Sequence, residues 1–445
     1  MTLHSVDSAC EVNGGQGGDG GSSGGSSGNG GDLTNVKVTL AGAFDDRLEI
    51  TSGAAGSVQG GTGNGGNGGA LKGITVTNNV GLSSLDIYAG NGGSLTNGAT
   101  GNGGNGGALS TVMVKSMAEI WDDTEIHSGR GGNADAAGNG GNAGDASGIN
   151  VTDKFGAYST WFISAGEGAQ GQGTGGKGGN GGNLKNVTFN GTNSYVGFGF
   201  VEAGANNGGT GAGSTGGIGG SIDGIKGSVG TVQIAAQKGG NAGAIGGLGG
   251  SVSNVNLKVT HFARIITAGD GGNADAGGTA GLGGSINKVK ITGSGVIGDF
   301  TDNFSVDGDD ESGMGGLIVG LGGAVNGVFD SIRNGSINSV TATRIAAIIA
   351  GAEAGENITA FNAVKSITGL KVGSIGADVD GDRQFDWEEN TATTGFQLNG
   401  AAGVMDTDDV PTDGLIIVKT GGYTPDAKTK FLGGPGIPAS GIIFV

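Results

Sequence analysis

The segment DVDGDRQFDWEE, residues 378–389, carries the densest set of oxygen ligands in the chain. Asp378, Asp380, Asp382, Asp386 and Glu389 fall at positions 1, 3, 5, 9 and 12 of a twelve-residue loop. Ca²⁺ is a hard cation that takes about six to eight oxygens, and this spacing wraps carboxylates around one point. The segment is therefore a candidate calcium site, with a solvated acidic turn as the alternative. Arg383 occupies position 6, where such loops take Gly for a sharp turn, and Gly381 is the nearest substitute. Asp307, Asp309 and Asp310 form a weaker acidic cluster.

Other chemistry is sparse. There are three histidines, His4, His127 and His261, and the sequence shows no zinc spacing, Gly-x-Ser-x-Gly elbow or nucleotide loop in context. Matches to G-x-G-x-x-G carry no information in a chain with 109 Gly. The expectation is a protein that is not an enzyme, with His127 and His261 on the surface and Trp121 and Trp161 in core or corner packing. Asn150, Asn186, Asn190, Asn303, Asn334 and Asn357 begin Asn-x-Ser/Thr sequons and are candidate glycosylation sites. The chain ends in GIIFV. Its apolar residues Ile442, Ile443, Phe444 and Val445 need a strand partner, either inside the chain or on the open end of a neighbouring copy.

These residues sit on a repeat. GNGGNGGAL occurs unchanged at 63–71 and 101–109, and looser copies end at Leu33, Ala146, Leu184, Ile222, Val252, Ile286 and Val325. The intervals are 38, 38, 37, 38, 38, 30, 34 and 39 residues, a register that a random glycine-rich linker does not keep. Most anchors open a period-two segment such as ITVT after Leu71 or VKIT after Ile286, the pattern of a half-buried strand. A second short segment follows, as in LEITSG (48–53), LDIYAG (85–90) and WFISAG (161–166). The Asn-Gly-Gly triplets suggest an extended helix with three residues per turn, which makes no internal hydrogen bonds and must bond to neighbouring copies. The expected fold is all-β: a parallel β-helix-like solenoid with coils of about 38 residues and polyglycine-II-like segments on one side.

The V-x-V-T strands and GGNGG triplets resemble bacterial glycine-rich, tandem-repeat surface proteins of the parallel β-solenoid type. The triplets alone are similar to the polyglycine helices of insect antifreeze proteins and phage tip adhesins. The acidic loop resembles an EF-hand or dockerin loop. The first resemblance implies a fibre, an adhesin or a cell-surface layer.

Composition narrows the rest. Hydrophobic residues make up 35%, and 109 Gly with only 4 Pro exclude collagen. A net charge of −18 disfavours nucleic acid as a partner. No apolar run is long enough to span a membrane, and the opening MTLHSVDSAC lacks the features of a signal peptide. The chain divides into a Gly/Ser-rich segment at 1–27, solenoid repeats at 28–351, and a capping or assembly region at 352–445 that holds the candidate calcium loop and all four prolines. The expected function is a non-enzymatic, extracellular or cell-surface structural protein, a fibre or surface-layer subunit that assembles with itself head to tail. The alternative is an adhesin for glycans or a host surface. A polysaccharide lyase-like β-helix enzyme is the third reading.

Overall fold

The computed structural model describes residues 2–3, 9–41, 47–154, 160–191, 198–202, 204, 213–298, 316–328 and 333–345, and beyond them the strands 348–350, 367–368, 371–375, 397–398, 401–405, 416–418 and 442–444. Among these residues the regular structure is β-strand, with no α-helix. The chain winds as a parallel β-solenoid. Each coil contributes a long strand, a short strand and two glycine-rich arms that return to the next long strand.

Long strands such as Leu71–Asn78, Leu109–Ser116, Ala146–Asp153 and Leu184–Gly191 are eight residues each. They pair in parallel and in register, so that Leu71, Leu109, Ala146 and Leu184 form one column. Short strands Leu48–Thr51, Leu85–Tyr88, Thr124–His127 and Trp161–Ser164 stack beside them in the same way. The inward columns are buried and mainly aliphatic, with Thr124, Trp161 and Phe189 among them. Each fully buried Leu, Ile or Val contributes about 1.5–3 kcal/mol, which makes this thin core the main source of stability.

One conformational detail sets the entry to every long strand. Its third residue has positive φ: Asn35 (56°), Gly73 (69°), Thr111 (57°), Gly148 (66°), Asn186 (57°), Gly224 (82°), Asn254 (54°), Lys288 (52°) and Ser339 (61°). This left-handed residue resets the alternation, so Leu71 and Ile74, three apart, both point inward, followed by Val76. Gly and Asn are the residues that tolerate the conformation best.

The glycine arms are ordered by hydrogen bonds. In 63–69 the positions run in threes. A Cβ placed on Gly63, Gly66 or Gly69 would meet Gly25, Gly28 or Gly31 of the arm one coil back. One on Gly65 or Gly68 would meet Gly93 or Gly90 of the antiparallel first arm. Asn64 and Asn67 face solvent. That is the three-residue screw of polyglycine II, with two of every three positions closed to side chains. The N–H of Gly69 donates to Gly53 (2.8 Å), that of Gly90 to Gly69 (3.0 Å) and that of Gly107 to Gly90 (2.8 Å), a zigzag between the arms. Asn answers the third position. The N–H of Asn105 donates to Oδ1 of Asn67, that of Asn142 to Asn105 and that of Asn180 to Asn142, each at 2.9 Å.

One sequence expectation changes in detail. GLGGAV, which ends at Val325, lies on a first arm rather than opening a long strand. Leu321 and Ala324 donate to Asp270 and Asn273 there, and the corresponding long strand starts at Ile337. The ladder also reaches into 1–27, where Cys10–Asn13 pairs with Leu48–Thr51. It continues past 351 through Ile367–Thr368 and Lys371–Ile375. The 30-residue interval arises at a corner, since only Gly230 separates strand Ile222–Val229 from Thr231–Ala235.

Candidate functional site

The short strands present two outward columns. One runs Glu11, Glu49, Asp86, Glu125, Phe162, Phe200, and the other Asn13, Thr51, Tyr88, His127, Ser164, Glu202. Each first arm turns away at the foot of its short strand, and the angle between them forms a groove of about 820 Å³. The groove crosses successive coils from Asn13 to Gln237, and Glu49, Glu125, Glu167 and Glu202 outnumber its one Arg, Arg130.

The side chains interact from coil to coil. Arg47 bridges Glu49 (2.9 Å) and Asp86. The Tyr88 hydroxyl donates to Glu125, and its ring stacks on His127 with centroids 5.4 Å apart and planes at 16°. His127 Nδ1 meets the Ser164 hydroxyl, and its Nε2 lies 3.5 Å from Glu125. Phe162 and Phe200 stack at 4.7 Å and 8°. The rings stack on one another up the column, so much of their face area is used between coils.

Burial governs the charges. Desolvation raises the Asp86 carboxyl above the ordinary aspartate range, and Arg47 opposes that rise. Desolvation, then the hydrogen bond to Glu125, pushes the Tyr88 phenol above its ordinary range. Desolvation holds His127 below the ordinary histidine range against the pull of Glu125. A neutral imidazole therefore sits among carboxylates at neutral pH. Glu49, Glu125 and Glu202 bring a carboxylate to the groove at every second coil, about 9.6 Å apart. This suits an extended ligand with repeated donors.

The structure separates the sequence candidates. Asp378, Asp380, Asp382, Asp386 and Glu389 lie outside the described residues, as do Asp307, Asp309 and Asp310. Among the described residues no group of three or more His, Cys, Asp or Glu is placed to hold a metal. Ile442, Ile443 and Phe444 form a strand paired in parallel with Ile416, Ile417 and Val418, while Val445 lies outside the description. Asn186 and Asn190 are exposed and Asn150 half-buried. Asn334 is buried and accepts from the Gly322 N–H. Asn303 and Asn357 are outside the described residues. Trp161 is buried, whereas Trp121 is 47% exposed against Gly81.

Sequence reasoning placed His127 on the surface and missed the groove. Its members are 37 to 39 residues apart, and only the repeat register could have aligned them. No helix among the described residues is long and apolar enough to cross a membrane. No protein-family model, curated protein or solved structure matches the chain.

Proposed function

We propose that the chain is a non-enzymatic structural rod of the cell exterior, a subunit of a fibre or surface layer that assembles head to tail. One observation carries the reading. Strands and glycine arms alike hydrogen-bond from coil to coil, which supports a stiff, continuous backbone unit. A parallel ladder of any length ends in strand edges that can accept another copy, and such heterologous contacts generate open filaments. The resemblance to glycine-rich surface proteins supports the exterior location. Negative-stain images of the purified chain at physiological calcium test the proposal. End-to-end filaments are expected, and dispersed particles at every concentration would overturn it.

The groove favours a second reading, an adhesin for an extended glycan. Its support is the line of acceptors Glu49, Glu125 and Glu202 beside Tyr88 and His127. Binding on a glycan array that is lost in Glu125→Gln would support this reading. Cleavage of the bound polysaccharide would instead favour the enzyme.

A further inference from the structure

The second arm exposes one residue in three, and these residues stack into columns. The central column runs Asn67, Asn105, Asn142, Asn180, Ile218, Leu248, Leu282 and Arg333. Through Asn180 each side-chain oxygen accepts the backbone N–H one coil further on, the last of these from Ile218 at 2.9 Å. From Ile218 the side chains carry no acceptor, so the Leu248 and Leu282 amides lose that partner. The replacements gain only partial burial: Ile218 is 46%, Leu248 44% and Leu282 46% exposed. In the adjoining column Ile245 is 50% exposed between Thr215 and Thr279. The Leu248 and Leu282 amides thus give up a side-chain acceptor where three successive coils present an apolar stripe.

Charge indicates what covers it. The chain carries −18, so two copies repel over most of their surface. The exposed columns of the second arm are an exception, with Lys177 and Arg333 balancing Asp32 and Asp145 and the rest uncharged. A like-charged copy can approach closely on this face.

We propose that Ile218, Leu248 and Leu282, with Ile245, form a lateral self-association face on which a second copy of this chain packs side by side. The contact is two-fold and centred on Leu248, which meets its own counterpart. The proposal rests on the structural-rod reading and adds sideways bundling to end-to-end joining.

The test substitutes Ile218→Asn, Leu248→Asn and Leu282→Asn together in the full chain, installing the residue that this column already uses. Sedimentation should show association weakened at least about tenfold, while the melting temperature holds or rises as the amide acceptors return. Association equal to wild type would overturn the stripe. Wild-type filaments that join end to end but never bundle would overturn it too, and would leave the rod reading standing. A second measurement avoids dependence on the triple variant. In a Cys10→Ser background, Leu248→Cys should form intermolecular disulfides at least about ten times faster than Asn105→Cys in the same column. Equal rates would sink the proposal.

Discussion

Thr111 has φ of +57° where neighbouring coils place Gly73 and Gly148. A left-handed β-branched residue costs about 1–2 kcal/mol, and glycine returns about 0.5–1 of that through unfolded-state entropy. Thr111→Gly should therefore raise stability by up to about 1 kcal/mol in denaturant titration, whereas Thr111→Ala should not. His127 gives a pH dependence. Its folded pKa is depressed, so the unfolded chain binds the proton more readily. Stability is full above the unfolded value near 6.5 and falls as pH drops below it towards the folded value. Melting scans should show that decline in wild type and a flatter profile in His127→Gln. The acidic loop belongs to this scale as well. Calcium at about 100 times its Kd would stabilise the chain by about 2.7 kcal/mol. The double variant Asp378→Ala, Asp382→Ala should remove the calcium-dependent rise in melting temperature, and a wild type indifferent to chelator would make the segment an acidic turn.

At the scale of the element, the arms invert the usual view of glycine-rich sequence as flexible linker. A Cβ at Gly104 would lie 1.7 Å from the Gly66 carbonyl oxygen, and one at Gly106 would lie 2.0 Å from that of Gly129. Both oxygens are backbone, so the clash is relieved only by separating the arms. Gly106→Val is expected to cost more than about 3 kcal/mol, in the range of severe steric disruption. Asn105→Ala, in the next position, should cost about 1 kcal/mol, the price of one hydrogen bond. Equal effects of the two substitutions in thermal melts would refute the three-residue screw. Amide exchange over 63–71 and 101–109 should be slow for the same reason.

For the whole molecule, the proposed assembly rests on where charge and apolar surface lie. The groove side is acidic and the second-arm face is neutral, so the proposed ligand and the proposed neighbour fall on different faces. Strand Ile442–Phe444 pairs with Ile416–Val418 and is the last in a four-stranded order. Deleting 441–445 should destabilise that sheet. Stable monomers that no longer join ends would assign the segment to a neighbouring copy instead.

The sequence alone determined the period, the strands and the glycine arms, because each reflects a local demand. Alternating Val and Thr suit a half-buried strand, and Gly occupies positions where another backbone lies within contact. GNGGNGGAL, spaced 38 residues apart, made the coil legible before any coordinates. The left-handed reset was not legible, since Asn35, Thr111 and Lys288 share no side-chain chemistry and are united only by the corner they turn. Nor was the placement of 320–325 on a first arm, because Gly-Leu-Gly-Gly serves either arm. The groove and the stripe were decided by tertiary structure. Tyr88 and His127 lie 39 residues apart in the chain, Ile218 and Leu248 30 apart, and stacking of the coils makes each pair neighbours.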